Sequence, residues 1–343
     1  MRSMLRPTLA LLAAVLSACA SPGSPTAIPG SVSYSEAHPG APHSTLAWVQ
    51  ISYGMPQSKN QIAVLDPATH AVVQKFDLNF GHANTVVGPA LDHLYVPLGQ
   101  PESNAIARID APTYGRTWFK VPAGEVVGAL AIGPDGGLLY AGTQSHTYRM
   151  NALTGAIEAT GSTPIVSAST NHPAAVSRRG FIYNADGTQI AVLNAHSLTV
   201  TAHFSIGSHP LSVALSSDGS SLYALGYTSG SSSSLAFVDA ASGSVIKTIA
   251  LNGFPDDAVL DPNLQRVYAA TGTTVSVVST LSGGVLATIP LSSAPSALTV
   301  DPTTGDVWLI DSSGVQRLDP TTFALTTYSK PPLNDAAGIS IAY

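Results

Sequence analysis

Residues 209–226 read HPLSVALSSDGSSLYALG, and residues 235–251 read LAFVDAASGSVIKTIAL. In the first stretch Val213 and Leu215 alternate with small residues, Asp218-Gly219 interrupts, and a second apolar run follows around Tyr223. An Asp-Gly pair between two apolar runs is hairpin chemistry, because glycine takes the positive φ at which the chain reverses. The second stretch repeats the plan, with Ala241-Ser242-Gly243 between two alternating runs. Alternation with period two over short segments predicts strands, so the unit is four short antiparallel strands in series.

The unit recurs. Leu222-Tyr223-Ala224 has counterparts in Leu46-Ala47-Trp48-Val49, Leu94-Tyr95-Val96, Leu139-Tyr140-Ala141, Ile182-Tyr183-Asn184, Val267-Tyr268-Ala269 and Val307-Trp308-Leu309, seven copies spaced 40 to 45 residues apart from the second onward. After each comes a third strand, a turn and a fourth, as in QIAVLDPATHAVVQKFDL and TVSVVSTLSGGVLATIPL. This pattern predicts an all-β fold, a seven-bladed β-propeller of four-stranded antiparallel blades around a central channel. The first copy lacks an inner strand, and the final KPPLNDAAGISIAY supplies one with nothing after it, Ile339 and Ile341 alternating as Val213 and Leu215 do. The C-terminal strand is therefore expected to complete the N-terminal blade, so that residues 45–343 form one ring with no free edge between its ends. No period-3.6 stripe follows residue 18, which excludes a helical solenoid.

The repeat, with Pro, alternating apolar residues, Asp-Gly, Leu-Tyr-Val/Ala and then Val-Asp, Thr/Ser-Gly and Thr-Ile, resembles the YVTN family of bacterial and archaeal surface propellers. HPLSVALSSDGSSLYALG with LAFVDAASGSVIKTIAL is the nearest copy. RRGFIYNADG departs from the pattern by losing the Asp-Gly turn, and GPALDHLYVPLG shortens it. No Trp-Asp pair ends a blade, so the WD-repeat pattern is not met. The resemblance implies a location on the cell envelope and leaves the function open, since similar propellers serve as lactonases, dehydrogenase subunits and binding platforms.

The amino-terminal end is read separately. Arg2 and Arg6 precede the apolar run LALLAAVL, which is too short to span a bilayer as a finished helix and reads as an export signal over residues 1–18. The run ends in Leu16-Ser17-Ala18-Cys19, which resembles the lipobox of bacterial lipoproteins. That resemblance implies a diacylglycerol on the Cys19 thiol, cleavage before it and an acylated new amino terminus. Ala20 in place of aspartate then points to the outer membrane where an organism has two. Cys19 is the only cysteine of 343 residues, so no disulfide forms within the chain, and lipidation would remove a free thiol from an oxidising compartment. Residues 19–44 are rich in Pro, Ser, Gly and Ala and are expected to act as a flexible tether.

Catalytic templates are scarce. No Gly-x-Ser-x-Gly, Gly-x-Gly-x-x-Gly, P-loop or His-Glu-x-x-His motif occurs. Glutamate is limited to Glu36, Glu102, Glu125 and Glu158, thin support for the acidic calcium cage that a lactonase propeller needs. Aligning the inner strands on the residue before the proline or its equivalent gives His82, Val126, His172, His209, Phe254, Ala294 and Asp335, one per blade at the channel mouth. Two readings of this ring stand. His82, His172, His209 and Asp335 could bind a transition metal, since neutral imidazole and carboxylate are common ligands. Alternatively, histidine before proline is a loop residue that packs on the proline or bonds the next blade. Asp256 and Asp257 add acidity to the same mouth or are solvated loop acids. Tyr95, Tyr140, Tyr183, Tyr223 and Tyr268 could offer a carbohydrate platform, but their recurrence at one place in each blade assigns them to inter-blade packing. Ser229–Ser234 reads as a flexible loop tip.

The formal charge is −6, falling to −8 once Arg2 and Arg6 leave with the signal, and no basic stripe exists for nucleic acid. The sequence therefore points to a monomeric, lipid-anchored propeller that binds a protein or envelope polymer through its rim loops. The alternative is a lactonase-like or metal-dependent enzyme, or a redox subunit, using the His/Asp ring. No cofactor is expected beyond that metal.

Overall fold

A computed structural model describes residues 46–51, 61–66, 71–78, 85–88, 90, 92–98, 103–111, 113–165, 172–229, 232–328 and 336–342. Their regular structure is all β. The strands of the first sheet are β1 (Leu46–Ile51), β2 (Gln61–Asp66), β3 (Ala71–Asp77) and the last strand, β28 (Ala336–Ala342). The second holds β4 (Val86–Val87), β5 (His93–Pro97), β6 (Ala105–Asp110) and β7 (Arg116–Lys120), and the third β8 (Ala129–Ile132), β9 (Leu138–Gly142), β10 (Thr147–Asn151) and β11 (Ile157–Gly161). The fourth holds β12 (Ala174–Val176), β13 (Phe181–Asp186), β14 (Gln189–Asn194) and β15 (Val200–Phe204), and the fifth β16 (His209–Leu215), β17 (Ser221–Ser229), β18 (Ser232–Asp239) and β19 (Val245–Asn252). The sixth holds β20 (Pro255–Asp261), β21 (Arg266–Thr271), β22 (Thr274–Ser279) and β23 (Val285–Pro290), and the seventh β24 (Ala297–Val300), β25 (Val307–Asp311), β26 (Gly314–Leu318) and β27 (Leu325–Tyr328). Each sheet has four strands, antiparallel and in sequence order except that β28 lies beside β1 in the first.

The sheets form a propeller. An apolar cluster sits between each sheet and the next, and the last such cluster joins Trp308 and Ile310 of the seventh sheet to Ala47, Val49, Ile339 and Ile341 of the first. The innermost strands β28, β4, β8, β12, β16, β20 and β24 adjoin one another in that order and back to β28. β28 pairs with β1 from Leu46↔Ala342 to Ile51↔Ala336, with one register shift near Ile51, so the first and last of the described strands share a sheet. Innermost strands run from the face bearing His172, called here the mouth face, to the opposite face, and the second strands return.

The tyrosines of the second strands hold neighbouring sheets together. Tyr95, Tyr140, Tyr183, Tyr223 and Tyr268 are all buried, which excludes a carbohydrate platform. Tyr95 Oη donates to the Ala152 carbonyl at 3.0 Å and Tyr183 Oη to that of Ala240 at 2.8 Å, each on the next sheet. Burial pushes the Tyr95 and Tyr140 hydroxyls up to about 12.

The turns between third and fourth strands explain the recurring Asn/Asp-x-x-Ser/Thr-Gly. Asn151 Oδ1 accepts from the Leu153 and Thr154 amides, as Asp239 Oδ1 does from Ala241 and Ser242. The fifth residue takes positive φ: Gly155 at 71° and Gly243 at 74°, but also Leu198 at 59°. Packing decides which residue stands there. A Cβ on Gly155 would lie 2.3 Å from Phe119, and one on Gly243 2.2 Å from Phe204. Where Leu198 fills the space, the preceding sheet supplies Gly161, whose added Cβ would meet Leu198 Cβ at 2.5 Å. In these three gaps one large side chain occupies the space, contributed from either side, whereas between the first and second sheets Tyr114, at φ 58°, and Phe76 share it with ring centroids 5.6 Å apart.

Candidate functional site

Proline and a β-bulge shape the mouth. In β16 the register shifts between Pro210 and Ser212, and in β20 between Pro255 and Asp257, so each strand carries one extra residue near its start. No such shift occurs in β12. The proline-based alignment therefore fails between the fourth and fifth sheets. Ser212 and Asp257 pair with the residue two beyond the strand tyrosine, Leu225 and Ala270. In the fourth sheet that residue, Ala185, donates its amide to the Pro173 carbonyl. His172 thus sits just above the rung of Ser212 and Asp257, while His209 pairs farther out, opposite Tyr227.

The two described histidines of the ring serve different contacts. The His209 ring stacks on Tyr227 with centroids 4.8 Å apart and planes at 16°, and Tyr227 meets Phe254 at 5.4 Å. His172 Nδ1 lies 3.0 Å from both Asp257 Oδ1 and Oδ2. His82 and Asp335, the other proposed ligands, and Cys19 lie outside the described residues. Among the described residues, no three His, Cys, Asp or Glu side chains are grouped to hold a metal ion.

Asp257 is the residue that sequence reasoning underrated. It belongs to a strand, not a solvated loop, and is 1% exposed. Ser212 Oγ donates to its Oδ1 at 3.2 Å, the Ala258 amide donates to Oδ1 at 2.9 Å and the Leu298 amide to Oδ2 at 3.3 Å. The carboxylate therefore joins the fourth, fifth, sixth and seventh sheets, and four donors offset the cost of burying its charge. His172 is 37% exposed. Burial depresses its proton affinity, but the charge and hydrogen bond of Asp257 outweigh this and raise its pKa above the usual 6.5. The pair commits Nδ1, an arrangement that fixes a histidine's orientation.

Asp256, the bulged residue next to it, differs. Burial, seconded by the charge of Asp257 and opposed by the Gly272 amide, pushes its carboxyl up to about 6. Its Oδ2 is buried without a hydrogen-bond partner. Two adjacent acids thus stand in opposite environments. Glu125 lies elsewhere on the mouth face, bonded to His146 Nδ1 at 2.7 Å. Hydrogen bonds from Thr143 and His146 hold its carboxyl below the usual range.

Below the mouth, the channel encloses about 350 Å³ between the innermost strands, with apolar walls that include Val87, Leu130, Val176, Leu215, Val259 and Ile341. Beside the mouth stands the hairpin of β17 and β18, nine and eight residues long, the longest among the described residues. Ser232, Ser233 and Ser234, expected in a flexible tip, are instead paired to Ser229, Tyr227 and Gly226. Ser233 and Ser234 are buried. Gly226 leaves room for this crowding, since a Cβ there would stand 2.5 Å from the His209 carbonyl oxygen.

The fold and site define a β-propeller whose mouth carries a buried carboxylate cluster beside an aromatic row. Comparison with solved structures agrees on the fold. A functionally unknown protein from Desulfotomaculum acetoxidans superposes with TM-score 0.65 at 13% identity, covering 87% of this chain and 99% of its own. A chain of hydrazine synthase from Kuenenia stuttgartiensis gives 0.60 at 19%, covering 71% and 78%. The β-propeller domain of Cps50 (Swd1) from Myceliophteria thermophila gives 0.60 at 11%, covering 74% and 88%. At these identities the likeness is one of architecture. The chain matches no protein-family model and no curated relative, so the YVTN resemblance rests on the repeat residues alone.

Proposed function

We propose that this protein is an exported, lipid-anchored scaffold whose seven sheets are the blades of one ring, and that a partner docks over the mouth face. In this reading residues 1–18 are a signal, Cys19 carries the lipid, residues 19–44 are a tether, and the partner is a protein segment or an envelope polymer. The observation that carries the docking site is Phe254, 48% exposed at the end of its row with Tyr227 and His209. An exposed ring stacked on fixed neighbours presents contact area with little ordering cost, as binding surfaces do. The YVTN-like repeat and the lipobox-like Leu16-Ser17-Ala18-Cys19 support the envelope location.

The test has two parts. Cys19→Ala should move the protein from the membrane fraction to the soluble one. A photo-crosslinking phenylalanine analogue at Phe254, introduced in the native cell, should give one discrete adduct, whereas the same group at Trp118 on an outermost strand should give none. Equal labelling at both positions, or none at Phe254, refutes the docking site. A second reading, an enzyme, draws on the His172–Asp257 pair. Lactone turnover by purified protein, abolished in His172→Ala, would favour it over the scaffold.

A further inference from the structure

Twelve large apolar side chains are exposed among the described residues, and six lie at turns and strand starts on one face of two adjacent sheets, while Val73, Leu153 and Ile157 hold like positions on the first and third. These six are Val245 and Ile246 at the start of β19, Leu264 in the β20–β21 turn, Leu281 in the β22–β23 turn, and Val285 and Leu286 at the start of β23. Every one of these positions is on the face opposite the mouth, because first-to-second and third-to-fourth turns all fall there. Leu281 is 79% exposed and Ile246 67%, the highest values of the twelve. The two sheets meet here: Lys247, next to Ile246, donates Nζ to the Ser282 carbonyl at 3.0 Å with its stem over Gly283, and the Thr280 amide, next to Leu281, donates to the carbonyl of Gln265, next to Leu264. Scattered apolar residues need no explanation, whereas a cluster on one face marks an interaction surface.

The chain itself indicates what covers it. β1 begins at Leu46, paired with Ala342 at the end of β28, so the preceding 45 residues join the ring on this same opposite face. Those residues contain Cys19, to which the proposed function assigns the lipid.

We propose that this patch rests on the lipid bilayer, seating in the boundary between headgroups and acyl chains, and thereby turns the mouth away from the membrane. The inference rests on the anchor reading and goes beyond it, because a tether alone would leave the ring free to tumble. Each seated side chain adds a small apolar gain to an attachment the lipid already makes local.

The experiment uses the full chain purified from membranes and reconstituted in phosphatidylcholine vesicles. Single cysteines, Leu281→Cys and Phe254→Cys, are labelled with an environment-sensitive nitrobenzoxadiazole dye, with and without spin-labelled lipid. The expected result is a blue-shifted emission at position 281 that spin-labelled lipid quenches, and an unshifted, unquenched emission at 254. Flotation with the vesicles but no quenching at 281 overturns the inference and leaves the anchor standing. A blue shift at 281 without lipid quenching assigns the patch to a second copy of the chain and also overturns it. Failure of the unlabelled chain to float overturns the anchor and the inference together.

Discussion

Replacing Asp257 by asparagine puts an amide donor where every neighbour donates. Oδ1 receives Ser212 Oγ and the Ala258 amide, Oδ2 receives the Leu298 amide, and His172 Nδ1 stands 3.0 Å from both. Whichever way the new side chain turns, its NH2 opposes a backbone N–H and the imidazole loses its charged partner. Breaking one side of a buried charged cluster costs about 3 kcal/mol at the low end of the usual range. For a ring of this size that corresponds to a fall in melting temperature of about 6 °C. Calorimetry of Asp257→Asn against the native protein reads it directly. A second signature follows from His172, whose native pKa is raised above its unfolded value. The stability it contributes is fully present below pH about 6.5 and is lost as pH rises through the native value, so the native protein should melt progressively lower above that point. Asp256, whose carboxyl titrates near 6, lowers stability as pH rises from its ordinary value towards 6, which falls before the histidine window. In Asp257→Asn the slope above pH about 6.5 should flatten. A variant that melts within a degree or so of the native protein, or that keeps its slope, refutes the assignment of Asp257 as the charged tie among four sheets.

Three other outcomes follow from the geometry. Gly155→Ala combines a φ of 71° with a Cβ 2.3 Å from Phe119, so it should destabilise by about 2 kcal/mol or more, measurable as a lower denaturant midpoint. Tyr183→Phe removes the hydrogen bond to the Ala240 carbonyl and should cost about 1 kcal/mol in the same assay. Deleting residues 336–343 uncovers Ala47 and Val49 and leaves the β1 edge unpaired. Size-exclusion chromatography should then show association in place of a single monodisperse peak.

The propeller architecture was legible because its causes are local and repeated. Each Leu-Tyr-Ala copy lies on a second strand, and Ile339 and Ile341 in the final segment were enough to place it against the first sheet. The mouth was less legible, for a physical reason. A bulge adds one residue to β16 and β20 but not to β12, so counting back from proline puts His172 level with His209 when it sits nearer the channel. The same device hid Asp257, which looked like the second acid of a loop. The serines at 232–234 misled differently, because composition suggested a mobile tip where cross-strand pairing and burial against Ser208 prevail.

The rung holding Asp257 shows why one acid can do so much. The residues on that rung are Ala129, Ser212, Asp257, Ala297 and Gly338, each paired two places beyond the strand aromatic, with Pro173 at the same level. At this level Ala129, Ser212 and Ala297 are fully buried. Small side chains are what such close packing allows. A carboxylate fits at one position because Ser212 on one side and Ala297 on the other leave it space, and the Leu298 amide beyond Ala297 gives it a donor. A second large residue on an adjacent sheet would compete for that volume, so Ser212→Asn or Ala297→Val should disturb the His172–Asp257 contact, whereas Ala129→Val, three sheets away, should not. The asymmetry of the mouth thus arises from one departure in an otherwise small-residue column, and it is on the side of that departure that Phe254 and the long β17–β18 hairpin stand.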